Sequence, residues 1–385
     1  MINTVIVEQN NNRLSLAFLE DSELRKVEFM EENRASEGSV YLAKITKKID
    51  TANGRIALMV NIGEQEDALL NLEDDAKETS YSEGQSVIVQ VKQEAHGEKG
   101  AKVSRAIQLA GKYLVYCPYG MQVQASAKIT DKETMYKYKD MVRDRITGQE
   151  GWILRTAAVE VDFSLLENEM VELRTLFDDI RTKARTSNSP ALLYSNASSY
   201  IDKIATYKAT LEQIVVNTPK LKTIIAEKLG LEADVEKNPF ESFGMEDKLL
   251  EAIQKTVKLP EGGSLHIEET KAFVAIDVDS GSTGHNGSIS RLNEQAAHEI
   301  AKQIILRNLS GKIMIDFAGS CEYRFMKSVI EILEEDLKSD ENQARVLGLS
   351  RAGNIEILRR RKQPSLLDLL TEECPTCSGT GRVER

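Results

Sequence analysis

Three aspartates are the residues best placed to do chemistry. Phe273-Val274-Ala275-Ile276-Asp277-Val278 and Lys312-Ile313-Met314-Ile315-Asp316-Phe317 are apolar runs of strand length, each with one aspartate near its C-terminal end. An ionised carboxylate in such a run is expensive to bury unless something pairs with it. A divalent metal is one such partner, and Mg²⁺ prefers carboxylate and water oxygens. Asp279 lies two residues past Asp277, so a strand that persists that far puts both side chains on one face. Three acids could then converge where two neighbouring strands end. A metal there would polarise a phosphodiester and lower the pKa of a bound water, the nucleophile of hydrolysis. The competing reading is that each aspartate caps the loop or helix that follows.

A second constellation sits in the tail Cys374-Pro375-Thr376-Cys377-Ser378-Gly379-Thr380-Gly381. A Cys-x-x-Cys knuckle with Pro and Gly aims two sulfurs at one point, and tetrahedral Zn²⁺ wants four ligands. No second pair follows, and His96, His266, His285 and His298 all lie far upstream. The simplest completion is the same pair from a second copy of the chain, four thiolates across a two-fold axis. A redox Cys-x-x-Cys is the rival, but that motif belongs at a helix start in a βαβ context. Cys117 and Cys321 read as small core residues.

The elements that must position these groups are legible in outline. The chain has 385 residues, 41% of them hydrophobic, enough for two to four domains with real cores. Residues 1–35 alternate like a hairpin, and five short runs between 40 and 107 (Val40–Ile45, Arg55–Ile62, Ala68–Leu70, Ser86–Val91, Lys102–Ile107) suggest a small β-barrel. Periodicity predicts helices over Ser164–Arg185, Glu246–Val257, Asn293–Asn308 and Tyr323–Lys338, and a Gly- and Ser-rich loop over Ser280–Ser288. Met1-Ile2-Asn3-Thr4 leads into a strand-like run, not a basic and then apolar leader, and no apolar run is long enough to span a membrane. With only four cysteines, this sets the expectation of a cytoplasmic protein. The net charge of −11 argues against non-specific nucleic-acid binding by the body as a whole. A local strip of Arg345, Arg351, Arg359, Arg360, Arg361 and Lys362 survives on it, readable as a binding surface or as a solvated face.

The combination resembles bacterial ribonuclease E/G. Leu259-Pro260-Glu261-Gly262-Gly263, Ile276-Asp277-Val278-Asp279-Ser280, Asn293-Glu294-Gln295-Ala296-Ala297, Leu306-Arg307-Asn308-Leu309 and Ile315-Asp316-Phe317 come in that family's order, and the cysteine tail resembles its zinc link. Gly97-Glu98-Lys99-Gly100-Ala101, Leu109-Ala110-Gly111-Lys112-Tyr113-Leu114-Val115 and Leu154-Arg155-Thr156-Ala157 match upstream, so the resemblance covers the whole chain.

The resemblance implies a multidomain α/β architecture. An RNase H-like subdomain is split between 1–36 and 200–275, an S1 (OB-type) β-barrel fills 37–115, and a 5′-sensor region runs over 116–199. A DNase I-like α/β subdomain covers 276–363 and a zinc-link knuckle 364–385. The E type's large C-terminal scaffold has no counterpart, which puts the chain closer to the compact G type. The implied activity is Mg²⁺-dependent endonucleolytic cleavage of single-stranded RNA, stimulated by a 5′-monophosphate, in RNA processing and mRNA turnover. Asp277 and Asp316 would hold Mg²⁺, with Asp279 a further candidate. Gly111, Val115, Arg155 and Thr156, with Arg345 in support, match the pocket for the 5′-phosphate, and Lys99 matches an RNA-contacting lysine. Zn²⁺ shared through Cys374 and Cys377 implies a homodimer, which could pair into a tetramer.

The departures set the alternative. Asp279 stands where the family usually has Asn, Gly319 where it commonly has an acid, and Met59 and Leu69 where its barrel has aromatic residues. Each stacked base is worth roughly 1–3 kcal/mol, so losing those platforms weakens the grip on single strands. The alternative is therefore an RNA-binding S1 protein with a degenerate, weakly active or inactive nuclease centre.

Overall fold

The computed structural model describes residues 1–11, 13–31, 35–50, 56–72, 81–95, 99–127, 129–195, 199–260, 262–281, 286–319, 323–372, 374–377, 379 and 381. Cys321, His96, His285 and residues 282–285 of the Gly/Ser loop lie outside the described residues. The chain divides into two compact units, residues 1–32 with 199–385, and residues 33–198.

The first unit begins as a three-stranded antiparallel meander, one strand more than a hairpin: β1 (Thr4–Asn10), β2 (Arg13–Glu20) and β3 (Glu23–Glu31). Asp21 and Ser22, both at positive φ, make the two-residue turn between β2 and β3, the geometry that matches the twist of a hairpin.

The second unit opens with β4 (Val40–Asp50), β5 (Ile56–Asn61), β6 (Ala68–Asn71), β7 (Ser86–Gln93) and β8 (Lys102–Ser104). They pair in the order β4-β5-β6-β8-β7, and β7 pairs back onto β4. This closes a five-stranded, OB-like barrel. Ala43, Ile45, Leu58, Val60, Leu70, Val89, Val91 and Val103 fill its core, and closure leaves no free edge in the ring. A four-stranded sheet follows, from β9 (Leu109–Ala110), β10 (Leu114–Cys117), β11 (Val123–Ala125) and β12 (Gly151–Leu154), with α1 (Lys132–Arg143) between β11 and β12. The long α2 (Phe163–Thr186) buries Leu166, Met170, Leu173, Phe177 and Ile180, a stripe at 3.6-residue period. That stripe joins Leu114, Tyr116 and Trp152 in one core, and β13 (Ala191–Tyr194) returns to pair with β4.

Back in the first unit, α3 (Ser199–Thr206), β14 (Gln213–Val216), α4 (Pro219–Leu229) and β15 (Asp234–Val235) complete the first sheet. Its order is β3-β2-β1-β14-β15, with β14 parallel to β1, β15 parallel to β14, and β2 alone running the other way. Phe240 of α5 (Pro239–Ser242) and Met245 and Leu249 of α6 (Met245–Ala252) share a core with Ile6, Ala17 and Leu19. The expected helix to Val257 ends at Ala252, because Thr256-Val257-Lys258 alternates in exposure and pairs as β16 (Thr256–Lys258) with β17 (Ser264–Glu269).

Those strands belong to a second, six-stranded sheet with β18 (Val274–Asp279), β19 (Gly311–Asp316), β20 (Arg345–Leu349) and β21 (Ile355–Arg359), in the order β16-β17-β18-β19-β21-β20. Between them lie α7 (Asn286–Leu306), which starts earlier than the expected Asn293, and α8 (Tyr323–Asp336), while α9 (Leu366–Leu370) follows. One face of the sheet, with Ile276, Val278, Ile313, Ile315, Ile355 and Ile357, is buried with residues of α7 and α8. Its other face is open. The expected limits at 275/276 and 115/116 fall inside β18 and β10, since hydrogen-bonded ladders run through both positions. No described helix is long and apolar enough to cross a membrane.

Candidate active site

The open face of the six-stranded sheet holds the acids. In β18 the buried residues Val274, Ile276 and Val278 alternate with Ala275, Asp277 and Asp279, and in β19 Ile313 and Ile315 alternate with Lys312, Met314 and Asp316. The strands are parallel, and Asp277 pairs in register with Asp316. Period two thus places both carboxylates on the exposed face, one strand spacing apart. Asp279 points the same way but accepts a hydrogen bond from the Gly281 N–H at 2.9 Å. Its carboxylate caps the outgoing loop, which is the bland reading of that residue. Among the described residues no three His, Cys, Asp or Glu side chains are gathered as a metal cluster. The structure therefore brings together two of the three expected acids. Two neighbouring carboxylates open to water suit Mg²⁺, which keeps several waters and takes one or two protein carboxylates. Gly319, three residues past Asp316, has φ +89°, a backbone that disfavours an acid at that position.

The basic strip divides. Arg345, Arg351, Arg360 and Arg361 are exposed, but Arg359 is buried. Its guanidinium forks onto Asp340 at 3.0 and 2.9 Å and donates to Asn308 Oδ1 at 2.8 Å and to the Leu309 carbonyl at 2.9 Å. Arg359 alternates inward along β21, so it serves the fold and not the surface.

In the second unit, residues 111–114 form a tight turn between β9 and β10. Glu169 of α2 fills it: its carboxylate accepts the N–H groups of Lys112 at 2.5 Å, Tyr113 at 2.9 Å and Leu114 at 2.7 Å. A Cβ on Gly111 would come within 2.5–2.8 Å of that carboxylate, so only glycine fits. Arg155, at the end of β12, donates to the Gly111 carbonyl, while its own N–H reaches the Tyr113 carbonyl at 2.9 Å. Val115 lies opposite Ile153 in the adjoining pair, and Thr156 follows Arg155 into a 3-10 turn. Gly111, Arg155 and Thr156 thus cluster at one end of this sheet, beside an exposed Lys112. Arg345 starts β20 in the other unit. The sequence signal for Glu169 is an acid on the apolar stripe of α2, between Leu166 and Met170.

On the barrel wall Lys47, Met59, Leu69 and Lys102 are successive register partners. Met59 and Leu69 are half-buried between two exposed lysines, and Lys99 is exposed nearby in sequence. In the tail, Cys374 is exposed and Cys377 half-buried, and Cys377 Sγ accepts the Gly381 N–H at 3.3 Å. Hydrogen bonds from the backbone of Cys377 and Thr376 hold the Cys374 thiol below its ordinary range, which favours the thiolate a zinc ion binds. The donor set fits half of a tetrahedral site. Cys117 is half-buried.

The model of the Ribonuclease E/G family matches residues 108–362. The chain belongs to the ribonuclease E/G family. Among relatives, ribonuclease G of Escherichia coli K12 is 26% identical over 419 residues, covering 99% of this chain and 84% of that protein. Ribonuclease G of Haemophilus influenzae is 28% identical over 408 residues, covering 97% and 82%. Ribonuclease E of Escherichia coli K12 is 28% identical over 377 residues, covering 90% of this chain but 35% of that much longer protein. The ribonuclease E/G match spans the acid-bearing strands, the 111–114 turn with Arg155, and the Asp340–Arg359 pair.

Proposed function

We propose that this ribonuclease E/G family member is an endoribonuclease that cleaves single-stranded RNA in RNA processing and turnover, with Asp277 and Asp316 as its metal-binding acids. The observation that carries the reading is the register pairing of these two carboxylates on the open face of a sheet. Mg²⁺ held there would supply a Lewis acid for the phosphodiester and a water of lowered pKa. The chain's own residues bind and orient. The two acids fix the cation from neighbouring strands, and the exposed arginines of the first unit screen the approaching backbone. Hydrolysis leaves 5′-phosphate and 3′-hydroxyl ends.

Arg155, Thr156 and the Gly111 turn are proposed to receive a 5′-monophosphate, since a guanidinium, a hydroxyl and close backbone suit a terminal phosphate. Arg155 would then trade the Gly111 carbonyl for phosphate oxygens. The order β3-β2-β1-β14-β15, with one reversed strand, supports reading that sheet as RNase H-like. The closed barrel supports an S1 role, and the six-stranded sheet with helices on one face a DNase I-like role. A zinc-linked homodimer in the cytoplasm, able to pair into a tetramer, completes the proposal. Its support is the cysteine knuckle and the reduced-compartment composition.

The capped state of Asp279 and the glycine-favouring backbone at Gly319, where an acid is disfavoured, support a second reading, an RNA-binding protein with a weak nuclease centre. Cleavage of a short 5′-monophosphorylated A/U-rich RNA, with Mg²⁺ and with EDTA, by wild type and Asp316→Asn separates the two. Internal cleavage that needs both Mg²⁺ and Asp316 supports the nuclease. Binding without cleavage supports the second reading.

A further inference from the structure

The open face of the six-stranded sheet carries one more group in line with the acid pair. Register aligns Thr256 of β16 with His266 of β17, His266 with Asp277 of β18, and Asp277 with Asp316 of β19. Four polar side chains therefore form one row across four strands. His266 is exposed, and its Nδ1 lies 3.0 Å from the Thr256 hydroxyl. Strands about 4.8 Å apart put the Cα atoms of His266 and Asp316 roughly 10 Å from each other, with Asp277 between them. That is a span one phosphodiester group and its hydrogen bonds can bridge.

The row has a chemical imbalance. Asp277 and Asp316 only accept, and they repel a phosphodiester. Of the neighbours on the same face, Ala275 and Met314 are apolar and Glu268 is paired with Lys255 at 2.9 Å, while the exposed cations stand off the row, Lys312 four residues before Asp316 on β19 and Lys258 two residues past Thr256 on β16. His266 is the one group in the row, Thr256 apart, able to donate. The Thr256 hydroxyl can donate to Nδ1, and in that tautomer the ring proton sits on Nε2, to which no hydrogen bond is made among the described residues.

We propose that His266 is a further substrate-contacting residue: its Nε2–H donates to a non-bridging oxygen of the RNA phosphodiester at the Asp277–Asp316 pair, and Thr256 holds the ring for that contact. The inference rests on the reading of that pair as the nuclease centre. His266 makes and breaks no bond. Water oxygen bonds to phosphorus, the bond from phosphorus to the 3′-oxygen breaks, and the 3′-oxygen takes up a proton released by the water. Negative charge grows on the non-bridging oxygens meanwhile, and a positioned donor stabilises it more than it stabilises the bound RNA.

The test is single-turnover cleavage of 5′-monophosphorylated single-stranded RNA in Mg²⁺ by wild type, His266→Ala, His266→Gln, Thr256→Val and Asp316→Asn. RNA affinity in EDTA and thermal stability are measured alongside. His266→Ala is expected to slow the cleavage step by about tenfold to a hundredfold, with affinity and melting temperature unchanged. His266→Gln, whose amide also donates, recovers part of the rate, and Thr256→Val loses less than His266→Ala. His266→Ala cleaving at the wild-type rate, while Asp316→Asn is inactive, overturns this inference and leaves the nuclease centre standing. A rate loss that tracks a fall in melting temperature and is not recovered by Gln also overturns it. Asp316→Asn cleaving at full rate, or an inactive wild type, overturns both readings.

Discussion

Asp277 and Asp316 face each other in register across the parallel pair β18–β19, both on the sheet's open face. Like charges one strand apart repel, by roughly 0.2–1 kcal/mol for exposed pairs. Asp277→Asn and Asp316→Asn should each abolish cleavage yet leave the metal-free protein as stable as wild type or slightly more so. Calorimetric titration should show that either change lowers Mg²⁺ affinity. Undiminished Mg²⁺ binding in both variants would place the metal elsewhere.

The 111–114 turn makes a stability prediction distinct from its role in RNA binding. Glu169→Ala strands three backbone N–H groups that now share one carboxylate, two of which belong to half-buried residues or better. A loss of about 3 kcal/mol or more is expected in urea unfolding. Gly111→Ala should cost about 1–3 kcal/mol, because its methyl meets the pinned carboxylate. Arg155→Ala should leave stability nearly intact and erase the preference for 5′-monophosphorylated over 5′-hydroxyl RNA in competition cleavage.

The barrel row Lys47–Met59–Leu69–Lys102 has charge at both ends and no aromatic platform between them. Met59→Tyr should tighten single-stranded RNA binding about fivefold, the gain of roughly 1 kcal/mol that one stacked base gives. Lys47→Ala and Lys102→Ala should each lower the slope of log affinity against log salt by about 0.7. Fluorescence anisotropy over a salt series checks both; an unchanged slope would move RNA off this wall.

The Asp340–Arg359 pair, each side chain almost fully buried, ties β21 to the segment after α8, and Arg359 also reaches Asn308 and Leu309 just past α7. Burial pushes the Asp340 carboxyl up, but the hydrogen bonds and charge of Arg359 outweigh it and hold the group below the ordinary carboxylate range. The folded pKa is depressed, so the contribution is present above the unfolded value of about 4 and is lost as pH falls through the folded one. Asp340→Ala should destabilise by about 3–5 kcal/mol at pH 7, leaving a buried guanidinium uncompensated. The gap between wild type and Asp340→Ala should narrow below about pH 4 in a series of denaturant melts.

For the tail, metal analysis should find half a zinc ion per chain, and Cys374→Ser should remove it. Chelation should convert dimer to monomer in sedimentation. A chelator-resistant dimer without zinc would refute the shared site.

Much of this was legible in the residues. Strand runs bounded by Gly gave the barrel, and Asp277 and Asp316 stood out because charge is rare in such apolar runs. What the sequence withheld was long-range pairing. His266 reads as a lone polar residue in Ser264–Glu269 until the ladder sets it between Thr256 and Asp277. Glu169 looks like one more acid on a charged helix, since its three partners lie more than fifty residues earlier. Arg359 sits in a basic run whose period-two alternation alone turns it inward. The apolar period of Leu249 and Ala252 runs into Thr256-Val257-Lys258 and predicts helix there; only pairing with β17 decides for strand.

The insertion of residues 33–198 between β3 and α3 has a consequence for synthesis. β1 receives its parallel neighbour β14 only when residues 213–216 emerge from the ribosome. Until then the meander β1–β3 presents the whole β1 edge unpaired, with Val5 and Val7 lacking the Ile204, Leu221 and Ile225 that later cover them. The barrel, by contrast, pairs within residues 40–104 and can close as soon as β8 is made. The barrel can therefore close while the β1 edge still lacks its partner, which leaves that edge open to pairing with other chains for longer than any strand of the barrel.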